Sequence, residues 1–210
     1  MTNTQQSKSA AKSESQTLRI EGLTKSYNGS IVLDHLDLSL EYDHSYCLMA
    51  PSGTGKTTLF RILMGLESPD SGSICGLKDL RISAVFQEDR LLEGYTALEN
   101  IRFVTGRQYS NEELQRIINR LLPADSKNKP VCEFSGGMKR RTAILRAILA
   151  PSDLIIMDEP FTGLDAETKR TAIELIKEYT KGKRLLFSTH HEEDAGLLDA
   201  EILSLFFLTH

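Results

Sequence analysis

The chain has 210 residues and carries 25 Lys and Arg against 29 Asp and Glu, a net charge of −4. This length allows one compact domain with a sizeable core and room for a subdomain. The slight acidic excess argues against nonspecific binding of nucleic acid, which needs a basic surface. No apolar run reaches the roughly 18 to 20 residues needed to cross a bilayer. If a membrane matters to this protein, another chain must cross it.

The cysteines and the amino-terminal residues both indicate a cytosolic protein. Cys47, Cys75 and Cys132 lie far apart, without a Cys-x-x-Cys pair, which is typical of reduced, partly buried thiols. The segment Met1–Gln16 is rich in Ser, Gln, Lys and Thr and lacks the apolar core of a secretory signal. Residues 1–17 are therefore predicted to be a disordered leader.

The segment Leu18–Leu40 has the alternation of β-strands, with leucines at every second position near its end. Tyr27 precedes Asn28-Gly29, which predicts a turn between two such strands. A tyrosine at a turn is usually a packing residue. It becomes an aromatic platform for a base only if a nucleotide site lies beside it.

An apolar run, Tyr46–Met49, predicts the next buried strand. It leads into Ala50–Thr58, with the sequence APSGTGKTT, and then into a helical pattern. The apolar positions of that helix are Leu59, Ile62, Leu63 and Leu66, with an end near Gly65. Strand, glycine-rich loop and helix in this order are typical of a phosphate-binding loop. A flexible turn with a chance Gly-Lys-Thr is the alternative.

The loop has the residue types that phosphate binding needs. Gly53 and Gly55 let backbone N–H groups approach an anion. Lys56 can reach β- and γ-phosphates, and Thr57 can offer its hydroxyl to Mg²⁺. The helix points its positive end at the same place. Ala50 stands where the motif's first glycine belongs, so we expect an altered turn rather than lost phosphate contacts.

The middle of the chain predicts a short strand and a helical region. Ala84–Phe86 is an apolar strand that ends at Gln87, which could reach a metal or a water at the carboxyl edge of a parallel sheet. A capping amide is the ordinary role of such a residue. Ser110–Leu122 predicts an amphipathic helix whose first residue forms a capping box with Glu113, and Pro123–Pro130 predicts a polar linker.

Two further motifs flank the next strand. Phe134–Gly137 opens a strong helix, and Ser135 with two glycines at a helix start can bind an anion or can simply cap the helix. Leu154–Met157 is a fully apolar strand that ends in Asp158 and Glu159. Adjacent carboxylates are costly unless a cation or chemistry uses them. Asp158 suits Mg²⁺, and Glu159 suits orienting or deprotonating water.

The last part of the chain predicts a helix and two strands. Gly163–Asp165 caps a helix that ends near Gly182, with an inward face of Ala172, Ile173, Ile176 and Tyr179. Leu185–Phe187 predicts a buried strand followed by His190. A lone histidine is usually structural, but at a strand end in a nucleotide site it can touch the γ-phosphate. Ile202–Leu208 predicts a final buried strand.

Together these motifs resemble the nucleotide-binding subunit of ATP-binding cassette (ABC) transporters over Leu18–Leu208. The matching segments are APSGTGKTT for Walker A, Gln87 for the Q-loop, FSGGMKRR for the family signature, LIIMDEP for Walker B with its catalytic glutamate, Gly163–Asp165 for the D-loop, His190 for the switch histidine and Tyr27 for the adenine-stacking aromatic. The signature distinguishes this family from other nucleotidases, because few of them carry Ser-Gly-Gly ahead of Walker B. Departures are Ala50, Phe134 in place of leucine and His191 in place of aspartate.

The resemblance implies an α/β fold of the P-loop NTPase class. We expect a RecA-like, mostly parallel sheet core and an N-terminal antiparallel β subdomain. An α-helical subdomain would be inserted at about residues 88–150 of an ATPase domain that spans 18–210.

The resemblance also implies two copies, or two close paralogues, paired head to tail around two ATP molecules. The implied nucleotide-binding residues are Tyr27, Ser52, Gly53, Thr54, Gly55, Lys56, Thr57 and Thr58, with Ser135, Gly136 and Gly137 from the opposite subunit. The implied Mg²⁺ ligands are Thr57, Gln87 and Asp158, and the implied catalytic residues are Glu159, His190 and Gln87. Asp165 would contact the other subunit.

The stretches VFQEDRLL and TALENI further resemble bacterial importers of the nitrate, sulfonate and taurine type. This implies an energising subunit held by membrane permease subunits at the cytoplasmic face, with a solute-binding protein and no nucleic acid as partners. One alternative is a soluble ABC ATPase acting on nucleic acid or the ribosome, but its usual coiled coil, zinc modules or second cassette are absent. Another is a regulatory module without hydrolysis, against which the intact Glu159 and His190 argue.

Overall fold

The computed structural model describes residues 17–51 and 53–204 of the chain. The strands are β1 (Leu18–Tyr27), β2 (Ser30–Leu40), β3 (Ser45–Met49), β4 (Ser71–Cys75), β5 (Ile82–Val85), β6 (Leu154–Met157), β7 (Arg184–Ser188) and β8 (Glu201–Ser204). The helices are α1 (Lys56–Leu63), α2 (Ala97–Thr105), α3 (Asn111–Ile118), α4 (Gly136–Leu149), α5 (Ala166–Tyr179) and α6 (Glu192–Leu197). The predicted leader, up to residue 16, and Ser52 lie outside the described residues.

The strands form two sheets. A three-stranded antiparallel sheet has the order β2-β1-β4, and a five-stranded parallel sheet has the order β5-β6-β7-β3-β8. Because the second sheet is parallel, the carboxyl ends of its strands lie along one edge. The loops after β3, β5, β6 and β7 therefore begin side by side. The two sheets and the helices confirm the predicted α/β class.

The parallel sheet is covered on both faces, which explains the uninterrupted apolar run of β6. Ile155 and Met157 pack into a core with helices α4 and α5, while Leu154 and Ile156 pack on the other face with α1 and the antiparallel sheet. Each of these four side chains is at most 1 % exposed. Strands buried on both faces need apolar residues at every position rather than at every second one.

The helical region between β5 and β6 begins with two capping boxes. Ser110 N donates to Glu113 Oε2 at 2.7 Å, and the Ser110 hydroxyl accepts from Glu113 N at 3.1 Å, which confirms the predicted start of α3. Thr96 and Glu99 form the same motif at the start of α2. Helix α2 packs on both α3 and α4.

Several sequence predictions were wrong in detail. Helix α3 ends at Ile118 rather than Leu122. Leu66 does not continue the buried face of α1, since Gly65 takes a positive φ of 68° and leaves Leu66 51 % exposed. Among the described residues, strand β8 has β3 as its one neighbour and forms the sheet edge, and Ile202 is 46 % exposed instead of buried. The rest of that predicted strand lies outside the described residues.

The three cysteines are free thiols, as predicted, but they differ in burial. Cys47 is fully buried in β3, and this burial raises the pKa of its thiol to about 12. Cys75 and Cys132 are exposed, which corrects the expectation of partial burial for both. In the part of the chain that the structure describes, no helix combines the length and the apolar character needed to cross a membrane.

Candidate functional site

The carboxyl edge of the parallel sheet holds a cavity of about 240 Å³. Its lining residues come from β2, from the loop after β3, from α1 and from the loops after β5 and β6: Val32, Gly53, Gly55, Lys56, Thr57, Thr58, Gln87, Asp158 and Glu159. Apart from Val32, all of these are residues that the sequence analysis selected. The adjacency of β6, β7 and β3 brings them together although they lie up to about a hundred residues apart.

The glycine-rich loop has backbone geometry that requires its glycines. Gly53 and Gly55 have φ values of 85° and 91°, a region that residues with a Cβ rarely adopt. A Cβ on Gly55 would also lie 2.7 Å from Leu33 Cδ2 and 2.8 Å from Val32 O, so strand β2 excludes any side chain there. Ala50, in contrast, is outside the left-handed region. The turn at Ala50 therefore does not demand the glycine that the motif usually has.

Lys56 is the buried cation of this cavity, with 6 % of its surface exposed. Its ammonium group donates to Ala50 O and to Pro51 O, the latter at 3.0 Å. Among the described residues these carbonyls are its partners, and no carboxylate pairs with it. A buried charge without a counter-ion is unfavourable. The site therefore suits an anion that replaces the carbonyls as the partner of Lys56.

Asp158 faces the loop from the end of β6 and is 7 % exposed. Its Oδ2 accepts from the Thr57 hydroxyl at 2.8 Å, and its Oδ1 accepts from the Ser188 hydroxyl at 2.7 Å. A carboxylate and a hydroxyl in contact are hard oxygen donors, which Mg²⁺ prefers. The described residues hold no group of three or more His, Cys, Asp or Glu that could bind a metal by itself.

Glu159 and His190 form a second polar pair at the border of the site, because His190 lies outside the lining of this cavity and lines a neighbouring one that shares Glu159. Glu159 has a φ of 48°, which is uncommon for a non-glycine residue, and its backbone N donates to the Ser188 hydroxyl at 2.9 Å. Its Oε1 lies 2.8 Å from Nε2 of His190, and both side chains are partly open to solvent. Strained backbone at such a site is typical of function. A carboxylate so placed can accept a proton from water, and the imidazole beside it can hold it in position by a hydrogen bond.

Tyr27 ends β1 and is 39 % exposed, outside the lining of the cavity. The Lys25 ammonium lies 5.3 Å from the centre of its ring. The pKa of the Tyr27 phenol is raised, first by partial burial and then by the neighbouring Glu67, although Thr58 beside it acts in the opposite direction. Tyr27 is thus beside the start of α1, but the structure does not bring it into contact with Lys56.

The glycines of the signature do not line the cavity around Lys56 either. Ser135 caps α4 by accepting from Met138 N at 3.3 Å, and Ser135 and Gly136 are exposed. Gly137 packs close to the loop before α5, since a Cβ added to Gly137 would lie 3.4 Å from Gly163 O. Within one chain, this helix start is therefore exposed, and its first turn carries no acidic residue.

Asp165 caps α5 in the same way. Its carboxylate accepts from the backbone N and the hydroxyl of Thr168, both at 2.9 Å, and these bonds hold the pKa of Asp165 below its usual range. The predicted cap is confirmed. Any contact of Asp165 with another subunit would be made by a carboxylate already oriented within its own chain.

Two residues of the site were missed by the sequence analysis. Ser188 links Asp158 to Glu159, and it could have been found as the one hydroxyl at the end of the apolar strand β7. Arg140 is 8 % exposed and donates to Phe86 O at 2.6 Å and to Gln87 O at 2.5 Å. Arg140 thereby fixes the backbone of Gln87 to helix α4. Its Nε also lies 3.2 Å from Asp89 Oδ1. These partners are about 50 residues away along the chain, so a local sequence pattern does not predict them.

Known proteins match both the sequence and the fold. The family model described as ABC transporter matches residues 33–162. A Nod factor export ATP-binding protein of Cupriavidus metallidurans is 34 % identical over 198 residues, which cover 86 % of this chain and 65 % of that protein. An aliphatic sulfonates import ATP-binding protein of Nocardia farcinica is 35 % identical over 189 residues, which cover 89 % and 76 %.

Solved structures agree with the fold. The dimeric structure of a bacterial ABC transporter cassette superposes with a TM-score of 0.76 at 24 % identity, covering 90 % of this chain and 94 % of that one. A post-hydrolysis state of that cassette with ADP and Pi gives 0.76 at 25 % identity, covering 89 % and 93 %. The chain spans 61 to 65 % of the length of the Nod factor export proteins it matches. By its family match and by these relatives, the chain belongs to the ABC transporter family of ATP-binding proteins.

Proposed function

We propose that the chain is the subunit of an ABC transporter that binds and hydrolyses ATP. The observation that carries the proposal is the buried Lys56, which pairs with no carboxylate among the described residues and lies beside the hydrogen-bonded pair of Thr57 and Asp158. This pairing of an anion site with hard oxygen donors fits a nucleoside triphosphate with its magnesium ion.

The loop would bind the phosphates. On binding, the Lys56 ammonium would exchange the carbonyls of Ala50 and Pro51 for phosphate oxygens. Backbone N–H groups at Gly53 and Gly55 would add hydrogen bonds, and the start of α1 would add its dipole. Ser52, Thr54 and Thr58 would complete the loop, and Tyr27 would stack on the base. Thr54 already holds the loop through its bond to Pro51 O at 2.7 Å.

Thr57 and Asp158 would hold Mg²⁺, with Gln87 reaching it from the loop after β5. The bound ion would neutralise developing charge on the phosphates. The protein side of the reaction is the pair formed by Glu159 and His190. Glu159 would orient the attacking water and accept its proton, and His190, held at 2.8 Å from Glu159, would keep that carboxylate aligned and contact the γ-phosphate.

The exposed start of α4 would complete the site of a second subunit. Ser135, Gly136 and Gly137 form a helix N-terminus whose first turn carries no acidic residue. The γ-phosphate bound by an opposite copy would supply one. Asp165 would lie at the same interface, since Gly163 of its loop packs against Gly137. ATP would thus join two copies head to tail, and hydrolysis would release them.

A membrane permease would bind near Gln87. A second cavity shares Thr57, Gln87 and Asp158 with the first and is lined by Phe60 and Phe86. The helical region of about residues 88–150 adds exposed apolar side chains: Leu92, Tyr95, Phe103 and Val104. Tyr95 and Phe103 meet edge to face, with 5.3 Å between ring centres. Such exposed apolar side chains suit a helix of a partner at the cytoplasmic face of the membrane.

The direction of transport has two candidates. The stretches VFQEDRLL and TALENI favour an importer, which would also use a solute-binding protein and no nucleic acid. The relatives named for Nod factor export favour an exporter. Inside-out vesicles that contain the permease distinguish them: an importer of sulfonates would empty vesicles preloaded with labelled taurine when ATP is added outside, whereas an exporter of another solute would leave the label in place.

Replacing Lys56 by Ala is expected to weaken ATP binding about tenfold to a hundredfold, because a charge-assisted bond to phosphate is worth about 1.5–3 kcal/mol. Affinity is measured by titration calorimetry. Lys181→Ala serves as the control, since Lys181 is exposed near the amino end of β7, away from the cavity. Unchanged affinity in Lys56→Ala would contradict the phosphate-binding role of the loop.

Glu159→Gln is expected to keep ATP affinity and to lower kcat by roughly 10²-fold or more, because the amide cannot accept the proton of water. Phosphate release is measured at saturating ATP, and Glu174→Gln on the exposed face of α5 is the control. Hydrolysis at the rate of the unaltered protein would remove Glu159 from the mechanism.

Tyr95→Glu is expected to reduce the membrane protein that copurifies with the tagged chain by about tenfold or more, because a charge replaces an interfacial aromatic side chain. Tyr42→Glu is the matched control, since Tyr42 is 46 % and Tyr95 45 % exposed. Equal copurification in both variants would place the permease elsewhere. Copurification of ribosomes or nucleic acid instead would favour the soluble ABC ATPase.

A further inference from the structure

Ser188 is the last residue of β7 and is completely buried. Its hydroxyl donates to Asp158 Oδ1 at 2.7 Å and accepts from the backbone N of Glu159 at 2.9 Å. A serine hydroxyl has one hydrogen to donate and can accept in addition. Both capacities are used on two consecutive residues of the site, one proposed as a metal ligand and one as the catalytic base.

The donated bond fixes how the Asp158 carboxylate faces the cavity. With Oδ1 bonded to Ser188, Oδ2 is the oxygen that meets the Thr57 hydroxyl at 2.8 Å. Among the described residues, no other side chain donates to Oδ1. Without the Ser188 hydroxyl, a buried carboxylate oxygen would lose its partner, and the carboxylate would be free to turn about its terminal bond.

The accepted bond supports the backbone of Glu159. That residue has the left-handed φ of 48°, which is unfavourable for a side chain with a Cβ. The bond from its N–H to Ser188 helps to hold this conformation. From this backbone the Glu159 carboxylate reaches Nε2 of His190 at 2.8 Å. A change at Ser188 therefore acts on both polar pairs of the site at once.

We propose that Ser188 is a positioning residue that aligns Asp158 for the magnesium ion of ATP and Glu159 for the attacking water. Ser188 touches neither nucleotide nor water in this role and acts through its two neighbours. The proposal rests on the function proposed above, because it presumes that Asp158 and Glu159 serve magnesium binding and hydrolysis.

The test compares Ser188→Ala, which removes the hydroxyl, with Ser188→Thr, which keeps it. The probe is a non-hydrolysable ATP analogue, titrated once with Mg²⁺ and once with EDTA. The gain due to Mg²⁺ is the affinity for the analogue in Mg²⁺ divided by the affinity in EDTA. We expect Ser188→Ala to reduce this gain by at least about tenfold, while its affinity in EDTA stays within about threefold of that of the unaltered protein. Ser188→Thr should retain the gain within about threefold. We likewise expect kcat for ATP hydrolysis to be lower in Ser188→Ala than in Ser188→Thr.

A matched control separates positioning from general destabilisation. Thr180 is also buried, at 8 % exposure, and its hydroxyl donates to Ile176 O at 2.8 Å, at the far end of α5. Thr180→Val should lower the unfolding midpoint without altering the gain due to Mg²⁺. If Thr180→Val reduces this gain as much as Ser188→Ala does, the positioning role is wrong.

Two outcomes distinguish the failure of this proposal from the failure of the proposed function. A gain due to Mg²⁺ in Ser188→Ala equal to that of the unaltered protein overturns the role of Ser188 alone. If the unaltered protein binds no nucleotide, the proposed function is overturned and the role of Ser188 with it. Should Ser188→Ala not remain folded, Ser188→Cys replaces it, since a thiol donates only weakly. An equal gain in Ser188→Cys and Ser188→Thr then overturns the proposal.

Discussion

The hydrogen bonds of the Asp158 carboxylate are the interaction on which the site depends. They join β6 to Thr57 on the helix after β3 and to Ser188 at the end of β7. A carboxylate that is 7 % exposed needs such partners, because an unpaired buried charge is costly. The strand order β6-β7-β3 brings these partners to Asp158, because β7 lies between β6 and β3 in the sheet. One buried carboxylate thereby sets the relative positions of the glycine-rich loop, of Thr57 and of Glu159.

Around this anion the chain has two complementary surfaces that do not meet within one molecule. Among the described residues, Lys56 in the cavity has carbonyl partners alone, and the start of α4 at Ser135 is an exposed helix N-terminus whose first turn has no acidic residue. A triphosphate between two copies would satisfy both. Arg140 ties α4 to the loop after β5, because its guanidinium group donates to the carbonyls of Phe86 and Gln87.

Local patterns in the sequence predicted the parts of the molecule that local chemistry determines. The apolar run of β6, the capping box of Ser110 and the glycines of the phosphate loop were recognisable because each requirement is met within a few residues. The order of strands in the sheets and the role of Ser188 could not be predicted, since they depend on partners far apart in sequence. The exposure of Ile202 was missed for the same reason, because the apolar pattern of a strand does not show whether the strand lies at the edge or in the middle of a sheet.

The central claim is that the nucleotide site is complete only when two copies meet. The most direct measurement is sedimentation of the Glu159→Gln variant, in which ATP persists, with Mg²⁺ and either ATP or ADP. We predict a dimer with ATP, a monomer with ADP, and a monomer with ATP when Ser135→Glu is added, because a carboxylate at this helix start repels the γ-phosphate. A monomer in every condition, or an ATP-dependent dimer that Ser135→Glu leaves intact, would contradict the account.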